Sequence, residues 1–244
     1  MTIKLYQFPI SHYCEKVRWA LDYKGLPFRK VNLVPGLHAR KTLSLSQKSQ
    51  VPVIDDNGAI VQGSSAIIDY LDKTYPERPL TPHDPVLAEQ ALAWEKKLDD
   101  VVGVAVRTFV YHHLLSSPSM VVPLLTAKQN VIVKALFYAA YKKIASSMRR
   151  WMSINESTSQ KAMTDMDAVL SDLRKVYVNT RYLVGDEFSR ADLAACALFA
   201  PMFQPNGYGL KWPNMSEVPV EMTEWLASHD DALQSLAIRY EQNR

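Results

Sequence analysis

Residues 76–85 read PERPLTPHDP, and the hydrophobic period of the chain differs on the two sides of this stretch. Four prolines in ten residues, with few apolar side chains, can neither continue a helix nor join a sheet interior, so the stretch reads as a linker. Before it, strand-like runs flank a single strong helical pattern. After it, the apolar runs keep a helical period and no strand pattern interrupts them. Such a chain is expected to fold as a mixed α/β unit over 1–77, a linker over 78–85 and an all-helical unit over 86–244. At 244 residues and 48% hydrophobic content, it carries enough apolar surface for two modest cores.

The first unit opens with IKLYQF as a strand, then CEKVRWALDYKG as a helix with Cys14, Val17 and Leu21 on one face and Gly25 as its stop, then PFRKVNLV as a second strand. This is a βαβ pattern. Residues 35–50 read as irregular. VPVID and AIVQ then flank DNG, where Asn57-Gly58 is a strong hairpin signal that pairs a third and fourth strand antiparallel. Ser64 precedes SAIIDYLDKTY, whose apolar residues 67, 68 and 71 give a short helix that the Ser64 hydroxyl is expected to cap. In the second unit, helices are expected at 86–115, 126–152, 159–179 and 189–203, with two shorter ones between 216 and 242. Ser189 and Asp192 in SRAD form a capping box ahead of LAACALFA, a helix apolar enough to lie in the core.

Composition limits the function classes. A net charge of +3 on a 22% charged chain, without a dense basic run interleaved with aromatics, does not point to nucleic acid. Two cysteines, Cys14 and Cys196, give neither a disulfide framework nor a CxxC metal site, and a reducing, cytoplasmic setting is expected. TIKLYQF lacks the features of a signal peptide, and VIVKALFYAAYKK is broken by Lys134 and Lys142, so neither a membrane span nor a membrane partner is expected. Lys142, Lys143, Arg149 and Arg150 read as a solvated helix face. His112-His113 has no Cys or carboxylate at ligand spacing, and no metal is expected. The sequons at Asn155 and Asn214 would matter only in a secreted protein.

Four stretches, in order and at their spacing, carry a resemblance that spans nearly the whole chain. SHYCEKVRWALDYKGLPF, QVPVI, SSAIIDYL and GDEFSRADL are similar to the first-helix segment, the Val-Pro strand, the Ser-x-Ala-Ile helix start and the helical-domain capping box of cytosolic glutathione S-transferases, with a serine-type, theta-like first domain. The resemblance implies a thioredoxin-like βαβ-ββα domain joined to a helical bundle. It further implies glutathione as co-substrate, a small hydrophobic electrophile, detoxification chemistry and a homodimer. Carried over residue by residue, it implies a cis Val51-Pro52 bond that lets the Val51 backbone pair with the tripeptide. Ser64, at a helix start, would hold the γ-glutamyl carboxylate, and His38 with Lys41 would reach the glycine carboxylate. Two positions depart from the family. Gly63 stands where Glu, Asp or Gln usually binds the γ-glutamyl ammonium, with Gln62 or a partner subunit's carboxylate (Asp99 or Asp100) as possible substitutes; SLSQKSQ replaces a common Asn-Pro pair.

Glutathione reacts as its thiolate, and a free thiol has a pKa near ~8.5, so the first task is to lower that value. A donor at a helix N-terminus does so through a hydrogen bond and a favourable dipole together. Ser11 lies where the serine-type transferases place this donor, and it also suits a helix cap. Tyr6 lies in the strand where tyrosine-type members place a phenol, and it also suits a half-buried strand. Cys14 falls at the second position of a CxxC motif whose first is Ser11, and on the inward face it suits a packed thiol. Arg107, Phe109, Tyr111, His112, His113, Tyr208 and Trp212 are candidate pocket residues, and equally candidate core. The alternatives to a transferase are a non-catalytic binding or adaptor protein of the same fold, and a glutathione-dependent thiol oxidoreductase or peroxidase using Cys14.

Overall fold

The computed structural model describes residues 2–244. Its first half is organised around β1 (Ile3–Gln7), whose Ile3, Leu5 and Tyr6 are all buried because strands flank it on both sides and helices cover the sheet. β2 (Phe28–Asn32) runs parallel to it, with Ile3 opposite Phe28, after a crossover through α1 (His12–Tyr23), which Gly25 ends at a φ of +68°. β3 (Val53–Asp56) runs antiparallel to β1, with Tyr6 opposite Val53, and β4 (Ala59–Gln62) completes the order β2-β1-β3-β4. Asn57 and Gly58 both take positive φ, +54° and +98°, as a two-residue hairpin of primed type demands.

Two expectations are corrected here. The stretch expected to be irregular holds α2 (His38–Leu45), whose start has no side-chain cap and which buries only Thr42 fully, so its sequence carries little periodic signal. Ser64 does not cap α3 (Ser64–Thr74). The cap is Gly63, whose φ of +96° makes the turn out of β4, so the helix begins one residue earlier and Ser64 is its first helical residue. The strand directions bring the ends of β1, β2 and β4 and the start of β3 to one edge of the sheet, next to the first turns of α1 and α3.

The helical half starts at α4 (Pro85–Lys97), capped by the Asp84 carboxylate on the N–H groups of Val86 and Leu87. It runs on through a π-helical turn, Leu98–Val102, into α5 (Gly103–Leu114), in place of one regular helix. The helix expected over 126–152 is broken. α6 (Pro118–Leu125) ends before that start, Lys128 takes a φ of +63°, and α7 (Val131–Ala139) and α8 (Tyr141–Trp151) meet at a bend at Ala140. α9 (Glu156–Tyr177) begins earlier than expected because Asn155 and Thr158 cap each other reciprocally. α10 (Arg190–Phe203) has the expected Ser189 and Asp192 capping box and is buried through Met202. α11 (Val220–Ser228) and α12 (Asp230–Asn243) finish the chain.

α12 docks back on α1 through buried charge. The Glu15 carboxylate accepts from Arg18 Nε at 2.6 Å, Tyr240 Oη at 2.6 Å and Arg244 Nε at 2.8 Å, while Trp19 Nε1 donates to the Asn243 carbonyl at 2.8 Å. Among the described residues, no helix is long and apolar enough to cross a membrane.

Candidate functional site

The edge of the sheet next to α1 and α3 gathers most of the candidates. Ser11 N–H donates to the Phe8 carbonyl at 3.1 Å, closing a turn that leaves Ser11 extended as the N-cap of α1. Its Oγ accepts the Cys14 N–H at 3.3 Å, and the side chain stays half exposed at the end of the helix where unpaired N–H groups collect. Cys14 is fully buried one turn on, and burial pushes its thiol up despite the nearby Arg18 charge and contacts to Ser11 and Phe8. Tyr6 is buried in the central strand, with the Lys41 ammonium 5.4 Å from its ring centroid.

The α2 side of the edge is half buried. The His38 ring meets Phe8 edge-on at 4.7 Å, and its Nδ1 accepts the Gly36 N–H at 3.1 Å. Burial lowers its pKa, against an opposing backbone contact from Ser49. Lys41 is exposed one turn along. The Val51-Pro52 bond is cis, and the Pro52 carbonyl accepts the Gly63 N–H at 3.0 Å, which fixes this segment beside the start of α3. Gln62 is tied up: its amide nitrogen donates to the carbonyls of Lys48 at 2.8 Å and Gln50 at 2.7 Å. It anchors the loop into β3 instead of replacing the side chain that Gly63 lacks.

The helical half closes this edge through α5 and the π turn. The His12 ring nitrogen Nε2 lies 2.9 Å from the Gly103 carbonyl, and burial pushes the imidazole down to about 4, so it is neutral and donates. Tyr13 Oη donates to the Asp99 carbonyl at 2.6 Å. A Cβ at Gly103 would lie 2.1 Å from Tyr13 Oη, so only glycine permits this approach. Arg107 lies one helical turn beyond Gly103, with its buried Nε unpaired among the described residues, and Tyr111 lies one turn further, its phenol pushed up by burial.

The five other pocket candidates are placed differently. Phe109 is fully buried against His113 and Trp225 and belongs to the core. His112 and His113 lie at the far end of α5, about 14–15 Å along its axis from Gly103. They meet Glu156 at 3.2 Å and Glu221 at 3.6 Å, on a separate groove of about 470 Å³. Tyr208 is buried and braces the chain before α1: its Oη donates to the Ile10 carbonyl at 2.8 Å, with Arg18 over one side of its ring and Trp212 4.9 Å away. Among the described residues, no group of three or more His, Cys, Asp or Glu is placed to hold a metal.

A buried ionic cluster beside α3 has no signal in the sequence. Lys16 Nζ, fully buried, lies 2.6 Å from Glu95 Oε1 and 2.7 Å from Asp99 Oδ2. Arg190 clasps the other Glu95 oxygen at 2.6 Å and reaches Asp69 at 2.6 Å and Thr81 at 3.0 Å. Ser65 Oγ donates to Asp99 Oδ2 at 2.6 Å, one residue after Ser64. The carboxylate assigned to a partner subunit is therefore brought to the start of α3 by the chain's own π turn, while Asp100 pairs outward with Lys96. Lys16 and Arg190 face Asp69, Glu95 and Asp99, so the cluster that Ser65 joins to the start of α3 carries one formal negative charge in excess.

Residues 5–79 match the family model of the glutathione S-transferase N-terminal domain, and residues 129–218 match that of the C-terminal domain. A curated glutathione S-transferase of Pseudomonas putida is 26% identical over 196 residues, 80% of this chain and 72% of that protein. Glutathione S-transferase U2 of Arabidopsis thaliana is 32% identical over 104 residues, 41% of this chain, which spans under half (45%) of that protein. A solved glutathione S-transferase of Methylobacterium radiotolerans, in complex with glutathione sulfonate, superposes with a TM-score of 0.64 at 22% identity, over 99% of this chain and 91% of that one. It shares the fold.

Proposed function

Given that the chain belongs to the glutathione S-transferase family, we propose that it binds glutathione at the sheet edge and that Ser11 activates the thiol for attack on a small electrophile. The observation that carries this reading is the contrast among the three candidate activators: Ser11 is half exposed at a helix N-terminus, whereas Tyr6 is buried in the sheet and Cys14 is sealed beneath α1. A hydroxyl can rotate to donate to an incoming sulfur, and the helix start adds positive potential, so both act to stabilise the thiolate. The thiolate lone pair then forms a C–S bond to the electrophile as the electron pair of the bond being broken departs with the leaving group. The start of α3 takes the γ-glutamyl carboxylate through Ser64 and free N–H groups, and the net negative cluster at Asp99 takes the ammonium in place of the side chain missing at Gly63. The Val51 backbone pairs with the cysteinyl segment, and His38 and Lys41 meet the glycine carboxylate. Arg107 and Tyr111 line the electrophile side. A cytoplasmic homodimer with domains bounded at 78–85 belongs to the same reading.

Calorimetric titration with reduced glutathione tests the complex, and Ser11→Ala tests the activator. The variant is expected to bind glutathione and to lose about 10²-fold in kcat as a thiolate-stabilising donor is removed. The pH–rate profile is expected to shift upward as the bound thiol's pKa rises. Unchanged turnover removes Ser11 from the chemistry.

Gly63 favours a second reading, a non-catalytic binding protein of this fold, because it offers no acceptor of its own and Asp99 is already paired with Lys16. No heat of binding and no glutathione-induced rise in Tm would select it. The sealed Cys14 argues against an oxidoreductase, and intact mass unchanged after oxidised glutathione would exclude one.

A further inference from the structure

α7 shows solvent the wrong face for a soluble helix. Its inward anchor is Phe137, whereas Val131, Ile132 and Leu136 are 78%, 67% and 62% exposed, with Tyr138 also open to solvent. The helix packs chiefly on its chain neighbours α6 and α8, so this apolar face is left uncovered among the described residues. Scattered surface apolar residues need no explanation, but a helix whose outward side is aliphatic does.

Its charge environment is one-sided. No Asp or Glu occurs from 101 to 155, and that interval holds Lys128, Lys134, Lys142, Lys143, Arg149 and Arg150 besides Arg107. Exposed lysines on neighbouring helices have carboxylate partners, as Lys96 has Asp100 and Lys161 has Asp165; the six cations around α7 and α8 form no ion pair among the described residues. α8 ends in Trp151, which is 81% exposed.

We propose that α7 and α8 form a docking face for an anionic lipid surface, with Val131, Ile132 and Leu136 entering the acyl boundary and the flanking Lys, Arg and Trp151 side chains meeting the headgroups. The combination is that of an interfacial helix: an apolar outer face, basic residues whose stems can lie along lipid while their charges reach phosphate, and aromatic residues at the polar boundary. A protein partner fits these observations less well, because interface cores are depleted in lysine. The solvated basic face expected from the sequence is then one part of a lipid-facing arm. The inference rests on residues outside the proposed glutathione site and stands apart from the transferase reading.

The test is co-sedimentation of the full chain with phosphatidylcholine vesicles, with and without roughly one third phosphatidylserine. The protein is expected to pellet with the anionic vesicles only, and the bound fraction to fall at least about tenfold at ~0.5 M salt. Ile132→Asp with Leu136→Asp, and separately Lys142→Glu with Lys143→Glu, are each expected to lose binding about tenfold or more while keeping the wild-type circular dichroism spectrum. Should the acidic pair not fold, Ile132→Ser with Leu136→Ser replaces it. Vesicles should shift the tryptophan emission to the blue, and Trp151→Phe should remove that shift. The proposal is overturned if anionic vesicles fail to bind at low salt, or if the aliphatic variants bind as the wild type does. It is also overturned if the wild type is a dimer without lipid that Ile132→Asp with Leu136→Asp dissociates, which would assign the face to a second copy. Capture of acidic protein without vesicle binding overturns it likewise.

Discussion

Glu15 and Lys16 are neighbours on α1, both are fully buried, and their charges are answered from different parts of the helical half. Around Glu15, Arg18, Tyr240 and Arg244 converge on one carboxylate and fasten the C-terminal helix to the back of α1. Around Lys16, two carboxylates converge on one ammonium, and one of them, Asp99, also receives the Ser65 hydroxyl at the start of α3. Similar burial and similar distances thus serve two ends: the Glu15 cluster is closed on itself, whereas the Lys16 cluster ends at the proposed ligand site. A buried charged group shows by its last partner whether it acts on the fold alone or also on the site.

The two clusters can be set against each other directly. Lys16→Ala, which leaves Asp99 without its cation and Glu95 with Arg190 alone, and Glu15→Ala, which leaves Arg18 without its carboxylate and Arg244 with Asp22 alone, are each expected to lose about 3–5 kcal/mol in urea denaturation. Only Lys16→Ala is expected to weaken glutathione binding in the fraction that remains folded, because only it removes the contact that holds Asp99 in place at the start of α3. Equal losses of affinity in the two variants would erase the distinction.

The next effect comes from His12, which joins the same helix to Gly103. Its folded pKa, about 4, lies below the usual 6.5, so the unfolded chain binds the extra proton between those values. The contribution is complete above pH 6.5 and is lost as pH falls toward 4, amounting to about 3 kcal/mol. Denaturation midpoints measured across that window should fall, and His12→Gln should flatten the slope. Ser11→Ala comes next, with about 1 kcal/mol lost with the cap alongside its larger kinetic effect. Last is the exposed Lys96 and Asp100 pair: Lys96→Ala should leave the midpoint unchanged, and a shift as large as that of Lys16→Ala would break the argument that burial makes the difference.

The parts of this fold legible in the sequence are those whose cause is local. Asn57-Gly58 fixes a hairpin by its own backbone preference, Gly25 stops a helix, and Ser189 with Asp192 caps one three residues apart. The cap falls one residue before Ser64 because the turn out of β4 depends on the φ of Gly63, which a hydroxyl before an apolar run does not reveal. α2 has little periodic signal because its fully buried side chain is a lone threonine. At the site, Ser11 could be singled out because cap and donor share one location. Lys16 and Arg190 could not, since each looks by type like a surface residue and their partners lie 79 and 95 positions away. Gly103 is equally silent: its reason is the ring of Tyr13, which only the folded chain brings over it.

The Lys16 cluster also bears on how the molecule comes apart. The proline-rich segment divides the chain into two stretches of different pattern, but the charges they share cross that division, with Lys16 and Asp69 on one side and Glu95, Asp99 and Arg190 on the other. Loosening one stretch from the other would part Lys16 from Glu95 and Asp99 and Arg190 from Asp69, and so break ion pairs that link the two halves. The linker is a border in the primary structure and not in the energetics. The two halves are therefore expected to melt together, in one cooperative transition that calorimetry would show as a single peak.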